Sequence, residues 1–462
     1  MKRLLIAALA CVSLTIGAQT TSQPTLAPLY YKCRVYFTDK QGSEYSLRHP
    51  ERFLSERALQ RRKRQGIKVD ATDLPVSAVY LNQLRSMGLD VYLTSKWNNT
   101  AVVGTRDLLL MNDVAQLPFV AGIQIVAHYE NMPKASGTNR KNRLNSVNND
   151  YAGVSYREAY TQIDQLNGVA LHGAGFCGQG MVIAIIDGGF YNADAIPGFA
   201  HTKILGTKDF VNPAADIFAE STHGMNVLSC IGANEPGYMI GTAPEASFWL
   251  LRSEDTYSEQ VVEEDNWCAA VEFADSVGAD VLNASLGYYD FDDDIDDLTY
   301  DQINGRTHIN SRTASMIASK GMILCNSAGN EGGGRWGKIG TPADATDILA
   351  VGAIMPDRKI ASFSSRGYSA DGRVKPDVVA MGVLSAVYGA NGQLSYSNGT
   401  SFSSPILTGM VACLWQALPH LNAYQIMDII RRSGDRYDNP DETYGYGLPD
   451  FFKAYTMGLI MQ

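Results

Sequence analysis

Cysteine offers neither a metal knuckle nor a disulfide framework in these 462 residues: of the seven, Cys11 sits in the N-terminal apolar run, and Cys33, Cys177, Cys230, Cys268, Cys325 and Cys413 stand far apart with no C-x-x-C pair. Several lie inside apolar runs, so buried free thiols are expected. Beyond residue 18 no segment is apolar over membrane length, so no membrane-spanning helix is expected in the mature chain. Internal repeats and long low-complexity tracts are lacking as well. One basic cluster, Arg61 to Arg64, has no aromatic or basic partner motif and follows a candidate secretion signal, so no nucleic-acid partner is expected. A solvated helix face, turned toward acidic surface, is its expected role.

What is present divides the chain. Lys2 and Arg3 precede an apolar run from Leu4 to Ile16, followed by Gly17 and Ala18. This is the pattern of a signal peptide over residues 1–18, and it directs the mature protein to the cell surface, the periplasm or the medium. Residues 19–150 carry 18 Lys/Arg against 11 Asp/Glu, whereas residues 151–462 carry 18 against 37, so the two parts attract each other within a total charge of −10. Between them, residues 131–155 are polar, Asn-rich and basic at Arg140, Lys141 and Arg143, as expected of an exposed linker with a processing site. The stretch 19–130 alternates helix-like and strand-like segments, including a helix with Pro50 near its start and Gly66 past its end. It reads as a small α+β domain.

From residue 156 the pattern changes. "MVIAIIDGG", "SFWLLRSE", "ADVLNASLG", "GMILCNSAGN" and "ILAVGAI" are short, almost continuously apolar strands separated by helical segments. That alternation predicts an α/β domain over 156–462, a parallel sheet with helices on both faces. Sites in such sheets form at the carboxyl ends of the strands. Asp187, Ser285 with Leu286 and Gly287, and Asn330 all follow predicted strands directly. His223 opens an apolar helical segment, and "YSNGTSFSSPILTG" crowds hydroxyl side chains before a helix, with Pro405 expected in its first turn. Singly, each has an ordinary structural role, as a cap or turn residue.

Together, "IIDGG" at Asp187, "THGMNV" at His223, "SAGNEG" at Asn330 and "NGTSFSSP" at Ser401 resemble, in order, the motifs of the subtilisin-like serine proteases, the subtilase family of peptidase S8 type. "GTAPEASFWLL", "NASLG", "ASFSSRG" and "KPDVVA" add to the likeness, which runs from about Tyr156 to Tyr455. The resemblance implies a serine endopeptidase in which Ser401 is the nucleophile, His223 its general base and Asp187 the group orienting the ring. Asn330 and the Ser401 N–H then form the oxyanion hole. It also implies that Ser285, Leu286 and Gly287 pair with an extended peptide substrate, and that Ala328 and Gly329 help to wall the first side-chain pocket. No cofactor and no catalytic metal are required, while a structural calcium is allowed.

Four positions depart from the family pattern: Gly188 replaces the usual Ser or Thr after the aspartate, Met225 and Asn226 replace Thr and His after "HG", and Phe402 replaces Met after the serine. None removes a reacting group. Gly188 is the one feature favouring a catalytically inactive peptide-binding module; a carboxyl-type relative with a glutamate base is opposed by His223 and Asn330. The run "YYDFDDDIDDLTYD" holds seven aspartates but has Asp297 where a calcium loop of EF-hand type needs glycine, so a solvated acidic loop that favours cationic substrates is expected. The domain over 19–130 resembles the propeptides of the same family, which implies an intramolecular inhibitor and folding aid, hence synthesis as a zymogen.

Overall fold

The computed structural model describes residues 29–130 and 156–461; the expected signal peptide and linker lie outside the described residues. The N-terminal domain runs β1 (Tyr30–Phe37), α1 (Glu56–Arg64), α2 (Ala78–Ser86), β2 (Asp90–Ser95), β3 (Thr100–Thr105), α3 (Leu110–Ala115) and β4 (Val120–Tyr129). Its antiparallel sheet has the order β2-β3-β1-β4. Cys33, Val35, Leu84, Val103 and Val114 belong to its own small core.

The helix expected from Pro50 is in fact two elements. Pro50–Arg52 forms a single 3-10 turn, and α1 begins after Ser55, whose hydroxyl accepts from the Ala58 N–H. A hydroxyl cap satisfies an orphan donor, which Pro50 cannot do. Nor is the basic cluster a solvated face: Lys63 and Arg64 are exposed, but Arg61 and Arg62 are buried.

The second domain is built on a seven-stranded parallel sheet: β5 (Val182–Asp187), β6 (Lys203–Asp209), β7 (Ser247–Arg252), β8 (Val281–Ala284), β9 (Ile323–Ser327), β10 (Leu349–Ile354) and β11 (Val378–Met381). Their order is β11-β10-β9-β8-β5-β7-β6. The five strands expected from their apolar runs all form. β6 is an edge strand whose lysines break the apolar pattern, so its sequence gives no such signal. Central β5 shows why the pattern is continuous. Ile183 and Ile185 pack into one core with Ile231, Ile406 and Met410, while Val182, Ala184 and Ile186 pack into another with Trp267 and Val271. Both faces are covered, so neither tolerates polar side chains.

Helices α4 (His223–Gly232), α5 (Val262–Val277), α6 (Ile309–Met316), α7 (Thr400–Ala417), α8 (Ala423–Ser433) and α9 (Phe451–Leu459) complete the layers. Five of the six cysteines among the described residues are buried and Cys177 is half-buried; all six are free. His172 is structural, bonded through Nδ1 to the Tyr156 hydroxyl (2.9 Å) and through Nε2 to the Thr242 carbonyl (3.0 Å).

The N-terminal domain sits on α5, a helix buried along most of its length although it carries Glu263, Glu264, Asp265, Glu272 and Asp275. Arg34 grips Asp265 with two bonds of 2.7 and 2.6 Å. Asp275 accepts from Arg61 (2.5 Å), Arg62 (2.9 Å) and Lys96 (3.1 Å). Burial by itself raises the Asp275 carboxyl, but Lys96, Arg61 and Arg62 outweigh it and hold the group well below the usual carboxylate range. Glu272 accepts the backbone N–H groups of Lys96 (2.6 Å) and Trp97 (3.0 Å). The opposite charges of the two parts meet here as buried, hydrogen-bonded pairs.

Candidate active site

Strand ends and helix starts together deliver the expected residues to one cleft of about 340 Å³, lined by Asp187, His223, Asn330 and Ser401 together with the 285–287 segment. Asp187 is the last residue of β5 and is 1% exposed. His223 is the first residue of α4, and its Nδ1 lies 2.8 and 3.0 Å from the two Asp187 oxygens. Nε2 is the ring nitrogen that Asp187 does not engage, and His223 lines the cleft. Burial of the ring lowers its pKa, but the adjacent Asp187 charge and hydrogen bond prevail and raise it above the ordinary histidine value.

The Gly188 departure has a local explanation. Its backbone N–H donates to Asp187 Oδ1 at 2.7 Å, so the carboxylate gains a donor without a side-chain hydroxyl. Its neighbour Gly189 has φ +149°, and a Cβ there would lie 2.4 Å from the Ser221 nitrogen, so only glycine fits. Phe402 packs its ring 6.0 Å from the His223 ring, and the Asn226 amide donates to the Tyr388 carbonyl at 2.5 Å. These departures brace the site from behind and leave the expected reacting groups in place.

Ser401 lies in the first turn of α7, where backbone N–H groups have no partner within the helix. Gly399 makes the turn into that helix with φ +148°. Pro405 is not in the first turn, as its sequence context suggests, but inside the helix. Having no N–H, it cannot donate to the carbonyl of Ser401 four residues earlier. The Ser285 hydroxyl donates there instead, at 2.9 Å, tying the end of β8 to the start of α7. Ser401 Oγ is 3.5 Å from the Ser285 carbonyl, and among the described residues no hydrogen bond joins it to His223. Without substrate such catalytic hydrogen bonds are often long or poorly aligned and tighten on binding.

Asn330 is held by a residue that the sequence reading treated only as a cap or packing group. Its Oδ1 accepts from both the backbone N–H and the hydroxyl of Thr400, each at 2.9 Å. The amide nitrogen is thereby turned outward as a donor. Thr400 also accepts from the Gly329 N–H at 3.2 Å, and the Ser365 hydroxyl accepts from the Glu331 N–H at 2.9 Å. Leu286, Gly287, Ala328 and Gly329 line the same cleft, as expected of a peptide-binding wall.

Three acidic residues in this cleft escaped the sequence reading. Glu254, Glu259 and Glu263 each bring a carboxylate oxygen within 4.8 Å of the others, the only such converging set among the described residues. Burial raises all three carboxyl pKa values; repulsion from Glu259 adds to it at Glu254, from Glu254 and Glu259 at Glu263, and from Asp292 and Asp290 at Glu259. Their signal was the acid density of "RSEDTYSEQVVEED" beside a buried strand. The Asp-rich loop keeps Asp292 to Asp294 exposed, while Asp297 turns inward to accept from the Phe291 N–H at 2.8 Å.

Residues 178–447 match the subtilase family, and residues 32–146 match the peptidase S8 propeptide domain of Bacteroidota. Serine protease AprX of Bacillus subtilis (strain 168) is 26% identical over 317 residues, covering 62% of this chain and 69% of AprX. Subtilisin E of the same strain is 28% identical over 308 residues, covering 65% of this chain and 73% of subtilisin E. In fold, the chain is similar to MycP1 with its N-terminal propeptide removed, at 22% identity and a TM-score of 0.50 over 64% of this chain and 96% of that one. With the subtilase match spanning more than half its length and a propeptide-type domain before it, the chain belongs to the subtilase family.

Proposed function

We propose that the protein is an exported serine endopeptidase made as a zymogen, in which Ser401, His223 and Asp187 hydrolyse peptide bonds through an acyl-enzyme. The observation that carries this reading is the Asp187–His223 hydrogen bond in a cleft shared with Ser401 and Asn330. Ser401 Oγ attacks the scissile carbonyl while His223 Nε2 takes its proton and later gives it to the leaving amine. Asp187 keeps Nδ1 protonated and stabilises the imidazolium. The tetrahedral oxyanion is met by the Asn330 amide and the Ser401 N–H, with the positive end of α7 beneath it. Water then releases the acyl group by the same proton transfers in reverse.

In this reading residues 1–18 direct export, the N-terminal domain inhibits and assists folding until removal, and processing falls between Asn131 and Tyr156. The substrates are peptides or proteins, and the chemistry needs no cofactor. Labelling with a fluorophosphonate tests it: the processed wild type is expected to label and Ser401→Ala is not. An unlabelled, processed wild type refutes it. Mass spectrometry of the secreted N-terminus is expected to begin within 131–156; a fully active species still starting near Gln19 refutes the zymogen part.

A further inference from the structure

The three glutamates beside the active centre bring their carboxylate oxygens together, and one of those carboxylates lacks a hydrogen-bond partner for an oxygen. Glu254 is buried and its Oε1 accepts from the Tyr288 hydroxyl at 2.7 Å and from Ser253. Glu263 is 2% exposed; one oxygen accepts from the Asp255 N–H at 2.6 Å, and the other, Oε2, is buried with no hydrogen-bond partner. Glu259 is half-buried and fixed by Asp292, which donates its N–H to the Glu259 carbonyl (2.9 Å) and accepts the Glu259 N–H on its carboxylate (3.0 Å). The Asp-rich loop therefore acts here as a brace for Glu259. A buried carboxylate oxygen without a donor is costly, and converging carboxylates that burial makes hard to ionise are stabilised by a cation among them.

What cation fits is indicated by the position of the set. It lines the same cleft as Ser401 and the 285–287 segment, so a peptide lying along that segment passes between them. Side chains of an extended peptide alternate, so some reach the glutamate wall while others enter the first pocket. The uncleaved chain already places a basic group on this side: Lys32 of β1 is buried, and Asp255, Asp265 and Glu263 act on its ammonium electrostatically.

We propose that Glu254, Glu259 and Glu263 form a cation subsite of the cleft that takes the ammonium or guanidinium of a substrate lysine or arginine on the acyl side of the cut, away from the first pocket. This rests on the endopeptidase reading and adds a side-chain preference to it. Three carboxylates at this spacing present several acceptors to a cationic head group, a geometry that rewards charge and hydrogen bonding together.

The test uses processed enzyme from the full chain, its concentration fixed by fluorophosphonate titration, and matched peptides carrying Lys or norleucine at each of four positions before the cut. Lysine is expected to raise kcat/KM by about tenfold or more at one position other than the one at the cut. That ratio is expected to fall toward one in Glu259→Gln and in Glu263→Gln, and to be largely kept in Glu259→Asp. Glu259 is half-buried, so its variant gives a reading even if Glu263→Gln fails to fold. Cleavage indifferent to lysine at every position, or a preference unchanged in Glu259→Gln, overturns the inference and leaves the endopeptidase standing. Failure to cleave any peptide overturns both. Calorimetry with calcium chloride closes the remaining route: tight calcium binding lost in Glu259→Gln, with no lysine preference, makes the set a divalent-ion site and overturns the proposal.

Discussion

Thr400→Val isolates the positioning of the oxyanion donor from the donor itself. Thr400 is fully buried and valine has nearly its shape, so the substitution removes one hydroxyl and little else. Two bonds of 2.9 Å hold Asn330 Oδ1, and the hydroxyl supplies one; the Thr400 backbone N–H remains. Loss of one such bond is worth about 0.5–1.5 kcal/mol, which corresponds to a fall in kcat of roughly 2- to 12-fold. On the proposed oxyanion role, Asn330→Ala removes the donor entirely and is expected to cost about 2.7–4 kcal/mol, the range measured for an oxyanion-hole asparagine in subtilisin. If Thr400 acts through Asn330, the double variant should be no slower than Asn330→Ala alone, within about 0.5 kcal/mol. The assay is kcat on a peptide ester and a peptide amide, normalised to active sites by burst titration so that any loss of folded protein drops out. A Thr400→Val penalty that persists in full on the Asn330→Ala background refutes the reasoning and transfers the effect to the Gly329 N–H, the hydroxyl's other partner.

Further expectations concern charge. His223 must be neutral to accept a proton, and its pKa is raised by Asp187 against the opposing effect of burial, so kcat/KM should fall as pH drops through a value above about 6.5. In Asp187→Asn that limb should move down and kcat should drop by about 10⁴; a limb that stays put refutes Asp187 as the cause. Asp275→Asn, made on a Ser401→Ala background to keep the chain uncut, leaves Arg61 and Lys96 buried without their anion and Arg62 with Asp73 alone, and should lower unfolding stability by about 3–5 kcal/mol in urea titrations. The Asp275 pKa is depressed by these cations, so its contribution is present above the unfolded value of about 3.9 and lost only as pH falls through the lower folded value. A difference already gone at about pH 6 contradicts this assignment.

How much of this was legible before the structure depends on how local the signal is. Strand β5 announces itself because both of its faces are buried, and Asp187, His223, Asn330 and Ser401 stand in short motifs whose glycines and small residues have local reasons. Arg61 and Arg62 misled because nothing near them indicates that Asp275, more than 200 positions away, lies against their helix. Pro405 suits a first turn by composition; its place inside α7 makes sense only once the Ser285 hydroxyl is seen on the Ser401 carbonyl. The glutamate set was invisible for the same reason. Glu254, Glu259 and Glu263 are ordinary acids in sequence and become unusual only when strand end, loop and helix bring their oxygens together.

The clasp on α5 also changes character when the connecting segment is cut. In the uncut chain Arg34, Arg61, Arg62 and Lys96 are delivered to Asp265 and Asp275 by the same molecule, at an effective concentration that dilution cannot lower. One hydrolysed peptide bond alters none of these contacts, yet it makes the partnership bimolecular. On the zymogen reading, inhibition then depends on how much free N-terminal domain surrounds the enzyme, so crowded and dilute surroundings would set different working levels for one and the same catalyst.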